Sequence, residues 1–203
     1  MFFGLGLAIG STAVKIDGAI SGIPYGLNKE NADAKSFCGK EQVTIVAEKG
    51  TDFFISPDGL VVMTNTPRIA FEPKGDFEFS AKVSGQFSNP YDGAALFVLV
   101  DLTHWAKLLF ERFPSGINGL GTLVTKEVSD DAHHAEHHGD FIYLKITRKG
   151  AVFSFYWSDA GDQWLFIRKF RMDATQPVKI GFTAQSPTSD RVTARFTELR
   201  FGE

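Results

Sequence analysis

The chain has 203 residues, 43% of them hydrophobic and 22% charged, with a formal net charge of −3. That is enough apolar material for one well-filled core, and the charge balance excludes the basic surface that binding to nucleic acid or an anionic membrane requires. Phenylalanine is used heavily, with 20 copies; it favours strands and brings a large apolar area into a core.

The first ten residues are short, apolar and interrupted by glycine, and no Lys or Arg precedes them. Ser11-Thr12-Ala13 resembles a cleavage site, but the missing basic flank argues against a secretory signal. Lys15 and Asp17 end the apolar stretch well short of the ~20 residues a membrane span needs. Residues 14–17 read as a weak strand within an N-terminal arm, residues 1–38. Cys38 is the sole cysteine, so no intrachain disulfide forms, and there is no Asn-x-Ser/Thr acceptor site. Both point to a reducing compartment, the cytoplasm.

Residues 39–203 read as one β-sandwich domain. Strands are predicted over 43–47, 60–63, 76–83, 94–100, 105–113, 122–126, 141–148, 152–157, 164–170, 178–184 and 192–201. In 76–83, Phe77, Phe79, Ala81 and Val83 alternate with polar residues, the period of a half-buried strand. Residues 94–100 are apolar on both faces, which places that strand centrally. Turn chemistry separates the strands, as in Ser56-Pro57-Asp58-Gly59, Asn89-Pro90-Tyr91-Asp92-Gly93 and Asp159-Ala160-Gly161-Asp162. There is no long amphipathic helix and no repeat. The fold class is all-β, a jelly-roll sandwich.

The order of several short motifs resembles DUF1349, a family of unknown function in the concanavalin A-like lectin/glucanase superfamily. Thr51-Asp52-Phe53 comes first, then Gly75-Asp76-Phe77 and Tyr91-Asp92 with Ala94-Ala95-Leu96. Trp105-x-Lys107-x-x-x-Glu111, Val124-Thr125, Ser129-Asp130, Trp164-x-x-x-Arg168 and Gly181 through Ser186-Pro187 follow. The family's Trp after Ser129-Asp130 is absent here. The resemblance implies two curved antiparallel sheets, one with a concave face on which superfamily members often bind or cleave carbohydrate. One fungal branch is called the regulation-of-enolase protein, which implies a regulatory role with a metabolic-enzyme partner.

Trp105, Lys107, Leu109 and Glu111 alternate with Ala106, Leu108 and Phe110, so the two sets point to opposite faces of one strand. An exposed Trp beside a Lys and a Glu suits a sugar groove, with a ring as platform and charged groups for hydroxyls; the alternative is a solvated Lys–Glu ladder. Tyr91 and Asp92 sit at a turn and stand either at the groove rim or there for turn chemistry alone. Arg168 could clamp a carboxylate or phosphate, or equally stack on an aromatic ring or pair with Glu111, and Gln185 could add an amide near the same end of the sheet. With Thr125, the candidate ligand-binding set is Tyr91, Asp92, Trp105, Lys107, Glu111, Thr125, Arg168 and Gln185.

Catalysis is the weaker expectation. A glycosidase needs two carboxyl groups about 5 Å or about 6.5–9.5 Å apart; on this strand only Glu111 is acidic, and it would be the acid or nucleophile. No nucleophile elbow, Walker loop or dinucleotide fingerprint is present, so no cofactor is expected. His133, His134, His137 and His138 could pair at i, i+4 around Zn²⁺ or Ni²⁺ if helical, or form a solvated loop. Residues 129–139 are expected to be an exposed connection beside the groove, gaining positive charge as pH falls and tightening any anionic ligand. The expected function is non-catalytic binding of a carbohydrate or polar metabolite. The alternatives are a protein-interaction role without small ligand, and glycoside cleavage.

Overall fold

The computed structural model describes residues 14–16, 20–31, 35–174 and 176–203; the expected readings of residues 1–13 and of Asp17 lie outside these. The described residues contain strands and no helix. In chain order they are β1 (Val14–Lys15), β2 (Asn28–Glu30), β3 (Phe37–Cys38), β4 (Gln42–Glu48), β5 (Phe53–Ile55) and β6 (Val62–Thr64). Next come β7 (Arg68–Phe71), β8 (Phe77–Gly85), β9 (Gly93–Asp101), β10 (His104–Arg112), β11 (Asn118–Lys126) and β12 (Val128–Glu136). The chain finishes with β13 (Phe141–Lys149), β14 (Val152–Ser158), β15 (Leu165–Arg171), β16 (Lys179–Gln185) and β17 (Arg191–Gly202).

These strands build a two-sheet antiparallel sandwich, as the sequence predicts. One sheet has eight strands, in the order β1-β2-β7-β16-β9-β10-β11-β12, and the other seven, in the order β15-β14-β13-β8-β17-β4-β3. The apolar strand β9 is central, between β16 and β10. Alternation fixes what lies between the sheets. Ala106, Leu108 and Phe110 of β10 pack there with Phe79, Phe155, Phe182 and Phe196, all fully buried. Edge-to-face aromatic pairs tie the layers, such as Phe79 on Phe182 with ring centroids 5.4 Å apart. Ile20, Ile23 and Leu27, ahead of the predicted domain start, are buried in the same core, and β2 and β3 pair with β7 and β4.

A hairpin of β5 and β6 forms a third, two-stranded sheet. It lies over the outer face of the eight-stranded sheet, where Phe53, Phe97, Leu99, Trp105, Leu109 and Leu123 make a second, smaller apolar cluster. This corrects the reading of Trp105 as an exposed platform. Its side chain does point outward, but it is fully buried because the Phe53 ring stacks on it at 3.9 Å and 13°.

The histidine-rich stretch is also corrected. Residues 128–136 are not a loop but the edge strand β12, paired along its length with β11. Its acidic and imidazole side chains mask the period-2 signal, because an edge strand can keep charge on both faces and so discourage pairing with other chains. As a strand it cannot offer i, i+4 histidine pairs. The imidazoles separate instead: His133 stacks on Phe113 at 4.0 Å, while His134 Nε2 lies 2.8 Å from Thr122 Oγ1. Among the described residues no cluster of three metal-ligating side chains forms.

Candidate functional site

The eight-stranded sheet leaves one part of its outer face uncovered, beside the hairpin, and a cavity of about 310 Å³ opens there. Its lining includes Asp52, Phe54, Tyr91, Lys107, Glu111, Asp131, His133 and Gln185. Register explains how these meet. Gln185 of β16, Gly93 of β9 and Glu111 of β10 lie in one cross-strand row. Gly93 has no side chain to separate the other two; a Cβ there would sit 2.8 Å from Glu111 Cβ. On the far side, a Cβ on Gly121 of β11 would lie 2.5 Å from Glu111 Oε1, so the carboxyl group rests over a glycine. In the next row on that face Leu109 faces Gly121, which faces His133 of β12, and in the row after it Lys107 faces Leu123, which faces Asp131.

Lys107 is 1% exposed. A buried ammonium needs partners to offset its lost hydration. Its Nζ donates to Gln185 Oε1 at 2.7 Å and lies 3.3 Å from Asp52 Oδ1. Asp52 is placed by the chain entering β5: Thr51 bridges to Ser186, just after β16, which sets Asp52 beside Gln185. The Gln185 amide donates to Tyr91 O at 2.8 Å. Tyr91 itself is half-exposed and takes a left-handed backbone, φ 69°, uncommon for a residue with a bulky side chain. It is held there by its N–H donating to Arg112 O at 2.7 Å.

Glu111 is 4% exposed. Among the described residues no hydrogen bond reaches its carboxyl group; His133 Nε2 lies 3.6 Å from Oε1. Burial pushes the Glu111 carboxyl up to about 7, opposed by Lys107 and reinforced by Asp52 and Asp131. An unpaired buried carboxyl open to a cavity is unusual for a purely structural residue.

Of the eight residues expected to bind ligand, Tyr91, Lys107, Glu111 and Gln185 meet at this cavity. Trp105 lies under the hairpin. Thr125 is also sealed there: its hydroxyl meets Ser129 Oγ at 2.8 Å, and Ser129 Oγ accepts the Ile55 N–H at 3.1 Å. Asp92 is fully buried behind the rim, where Oδ2 accepts from the Ser88 and Asn89 N–H groups and the Ser189 hydroxyl. That is turn chemistry rather than a ligand contact. Arg168 sits at the sandwich edge, with Nη2 3.2 Å from Asp130 Oδ1. Asp52, Asp131, His133 and Phe54 were not singled out for this face. Asp131 and His133 alternate with Ser129 along β12, a signal legible only once that stretch is read as a strand.

A wider trough of about 830 Å³ crosses the outer face of the seven-stranded sheet, where Lys145 Nζ lies 4.5 Å from the Trp164 ring and 5.1 Å from that of Tyr156. Lys145 is also 3.6 Å from Glu78, which is 67% exposed. The Lys145 ammonium is already covered by the two rings and paired with Glu78, whereas the Lys107–Glu111 cavity holds a buried carboxyl with no hydrogen bond, which makes it the stronger site.

The model of a family described as "Protein of unknown function (DUF1349)" matches residues 30–203. Among curated proteins nothing matches the chain in sequence. Solved structures share the fold. A functionally unknown protein from Saccharomyces cerevisiae is 22% identical with a TM-score of 0.79, covering 86% of this chain and 94% of that one. The GH43 BlXynB protein from Bacillus licheniformis is 13% identical with a TM-score of 0.68, covering 86% of this chain and 36% of that one. A legume lectin-like domain from Entamoeba histolytica is 12% identical with a TM-score of 0.57, covering 87% and 89%. These likenesses establish the lectin-like sandwich and nothing about a ligand. No helix among the described residues is long and apolar enough to cross a membrane. The chain belongs to the DUF1349 family.

Proposed function

We propose that this member of the DUF1349 family is a non-catalytic binding module that holds one small polyhydroxylated ligand, a carbohydrate unit or polar metabolite, in the cavity over Lys107 and Glu111. The observation that carries the reading is the buried polar floor of that cavity. Lys107 is fixed by Gln185 and Asp52, while the Glu111 carboxyl has no hydrogen bond of its own. A ligand hydroxyl donating to Glu111 would satisfy a group whose burial otherwise costs free energy. Phe54 and Leu123 offer apolar wall for the carbon face of a sugar ring, and Tyr91 stands at the rim.

The test is a thermal-shift panel of monosaccharides, disaccharides and polar metabolites on the wild type and on Glu111→Gln. A ligand that binds only the folded state stabilises it by about 2.7 kcal/mol at a hundredfold excess over its dissociation constant. Hits weakened in the variant are expected. An empty panel, or hits the variant leaves intact, would contradict the assignment.

One observation favours a second reading, glycoside cleavage. A carboxyl pushed up to about 7 holds a proton near neutral pH, as a general acid must, and Asp131 lines the same cavity. Turnover of nitrophenyl glycosides by the wild type and not by Glu111→Gln would support it; no turnover across the panel would dismiss it.

A further inference from the structure

We infer that the occupant of this cavity carries a protonated amine, so that the ligand class is an amino sugar or a similarly hydroxylated amine rather than a neutral or acidic sugar. This rests on the cavity being a small-ligand site and narrows what the site accepts.

The argument is a count of donors and charges facing the cavity. Lys107 is the single Lys or Arg in the wall. Its charge is already opposed by Asp52 at 3.3 Å, and one of its N–H groups is committed to Gln185 Oε1. Two further carboxyl groups, the buried Glu111 and the exposed Asp131, then face the cavity with no Lys or Arg of their own. The strands on either side of Glu111 offer it no donor side chain, because β9 presents Gly93 opposite it and β11 presents Gly119 opposite it and Gly121 on the diagonal. From β12 come Asp131 and His133, whose Nε2 is 3.6 Å from Glu111 Oε1 and whose ring is stacked on Phe113. The Gln185 amide is spent on Tyr91 O.

Of the two hydroxyls in the lining, that of Thr122 is engaged by His134 and Arg168 and that of Tyr91 stands at the exposed rim, so around Glu111 the wall is rich in acceptors and poor in donors. A neutral sugar could donate hydroxyl hydrogens to it but would leave Glu111 holding its proton, with no ion pair formed. An acidic sugar would be repelled. An ammonium group satisfies both demands, with charge-assisted hydrogen bonds roughly twice as strong as neutral ones. Glu111 is not an exposed acidic residue in a cluster of its kind; it is a buried carboxyl with no hydrogen bond, aimed into the space.

A consequence distinguishes this from general stickiness. Asp52 and Asp131 help hold the Glu111 proton at neutral pH, with Lys107 opposing. A bound ammonium adds a second opposing charge, so Glu111 gives up its proton when the amine arrives. Binding at pH 7 should release protons and should strengthen from pH 6 to pH 7, the range in which a hexosamine keeps its own proton. This is the reverse of the tightening at low pH expected for an anionic ligand.

The experiment is titration calorimetry on the full chain with D-glucosamine, D-galactosamine, D-glucose, N-acetyl-D-glucosamine and D-glucuronate, in two buffers of different ionisation enthalpy. Expected are amine affinities at least tenfold above those of the neutral sugars, no detectable binding of glucuronate, and net proton release. Glu111→Gln and the exposed Asp131→Asn should each lower amine affinity by about tenfold, and the second variant carries no risk to the core. Neutral sugars binding as well as the amines would overturn the inference while leaving the small-ligand site standing. Binding by none of the five would overturn the inference, and the separate panel would then decide the site. Amine binding that survives both substitutions would place it elsewhere and also overturn the inference.

Discussion

The outer face of the eight-stranded sheet has two halves, and strand β10 runs through both. At its start Trp105 lies beneath Phe53 in a dry apolar cluster sealed by the β5–β6 hairpin. At its end Glu111 stands between two glycines with its carboxyl open to a cavity. Lys107 lies at the boundary, its ammonium 5.7 Å from the centre of the Trp105 ring and tied to Asp52 and Gln185. The alternation of the strand is the same throughout. What differs is the cover: aromatic rings from a hairpin on one side, and on the other small neighbours that leave room. The sealed half supplies stability and positions the floor, and the open half keeps unsatisfied polar groups available.

Substitutions can break this contrast, and the largest effect belongs to the sealed half. Trp105→Ala should cost about 3–5 kcal/mol, the range for removing a fully buried large aromatic side chain. Denaturant unfolding would show it, and a loss below about 1 kcal/mol would mean that the hairpin does not seal this half in solution.

The next effect is pH-dependent and belongs to the open half. The Glu111 carboxyl is raised from 4.5 to about 7, so the folded chain holds a proton there that the unfolded chain has released. Stability should therefore fall as pH rises through that window, by roughly 3 kcal/mol at the full shift. Glu111→Gln lacks the titrating group. Relative to wild type it should gain stability from pH 5 to pH 8, measured as the difference in unfolding free energy. Parallel pH profiles would show that Glu111 is solvated.

Gly121→Ala sharpens the comparison without changing any charge. The new Cβ would meet Glu111 Oε1 at 2.5 Å and push the flexible carboxyl aside. Glucosamine affinity should drop at least tenfold, with a smaller stability loss than Trp105→Ala; unchanged affinity would separate Glu111 from the site. Least of all is Arg168→Ala. Its partner Asp130 is 75% exposed, neither residue lines the cavity, and its contact with the lining residue Thr122 is long at 3.4 Å, so stability should change by about 1 kcal/mol or less and affinity by less than threefold. A binding loss in this variant would restore Arg168 to the site.

Much of the fold is legible in the sequence because alternation and turn residues coincide. Strands such as Phe77–Gly85 and His104–Arg112 are half apolar, and glycine, proline or aspartate marks their ends. Arg68–Phe71 is missed because it has four residues and all are buried, too short a run for any period to show. Val128–Glu136 is missed for the opposite reason, since charge falls on both of its faces. The candidate site is half legible. The alternation of Lys107 and Glu111 gives their shared face, a family motif points to Tyr91, and the place of Gln185 near the same end of the sheet points to its amide. Which half of that face stays open depends on where Phe53 lands, a contact between residues 52 positions apart in the chain that no local pattern encodes. The same contact takes Trp105, the residue most suggestive of a sugar platform, out of reach.

The central claim is that the open half alone receives ligand, and hydrogen–deuterium exchange with and without D-glucosamine tests it most directly. The account predicts added protection in residues 52–54, 119–123 and 131–133, which border Glu111, with no change in residues 141–149 or 165–171 of the other sheet. Protection confined to the seven-stranded sheet, around Lys145, Tyr156 and Trp164, would contradict it.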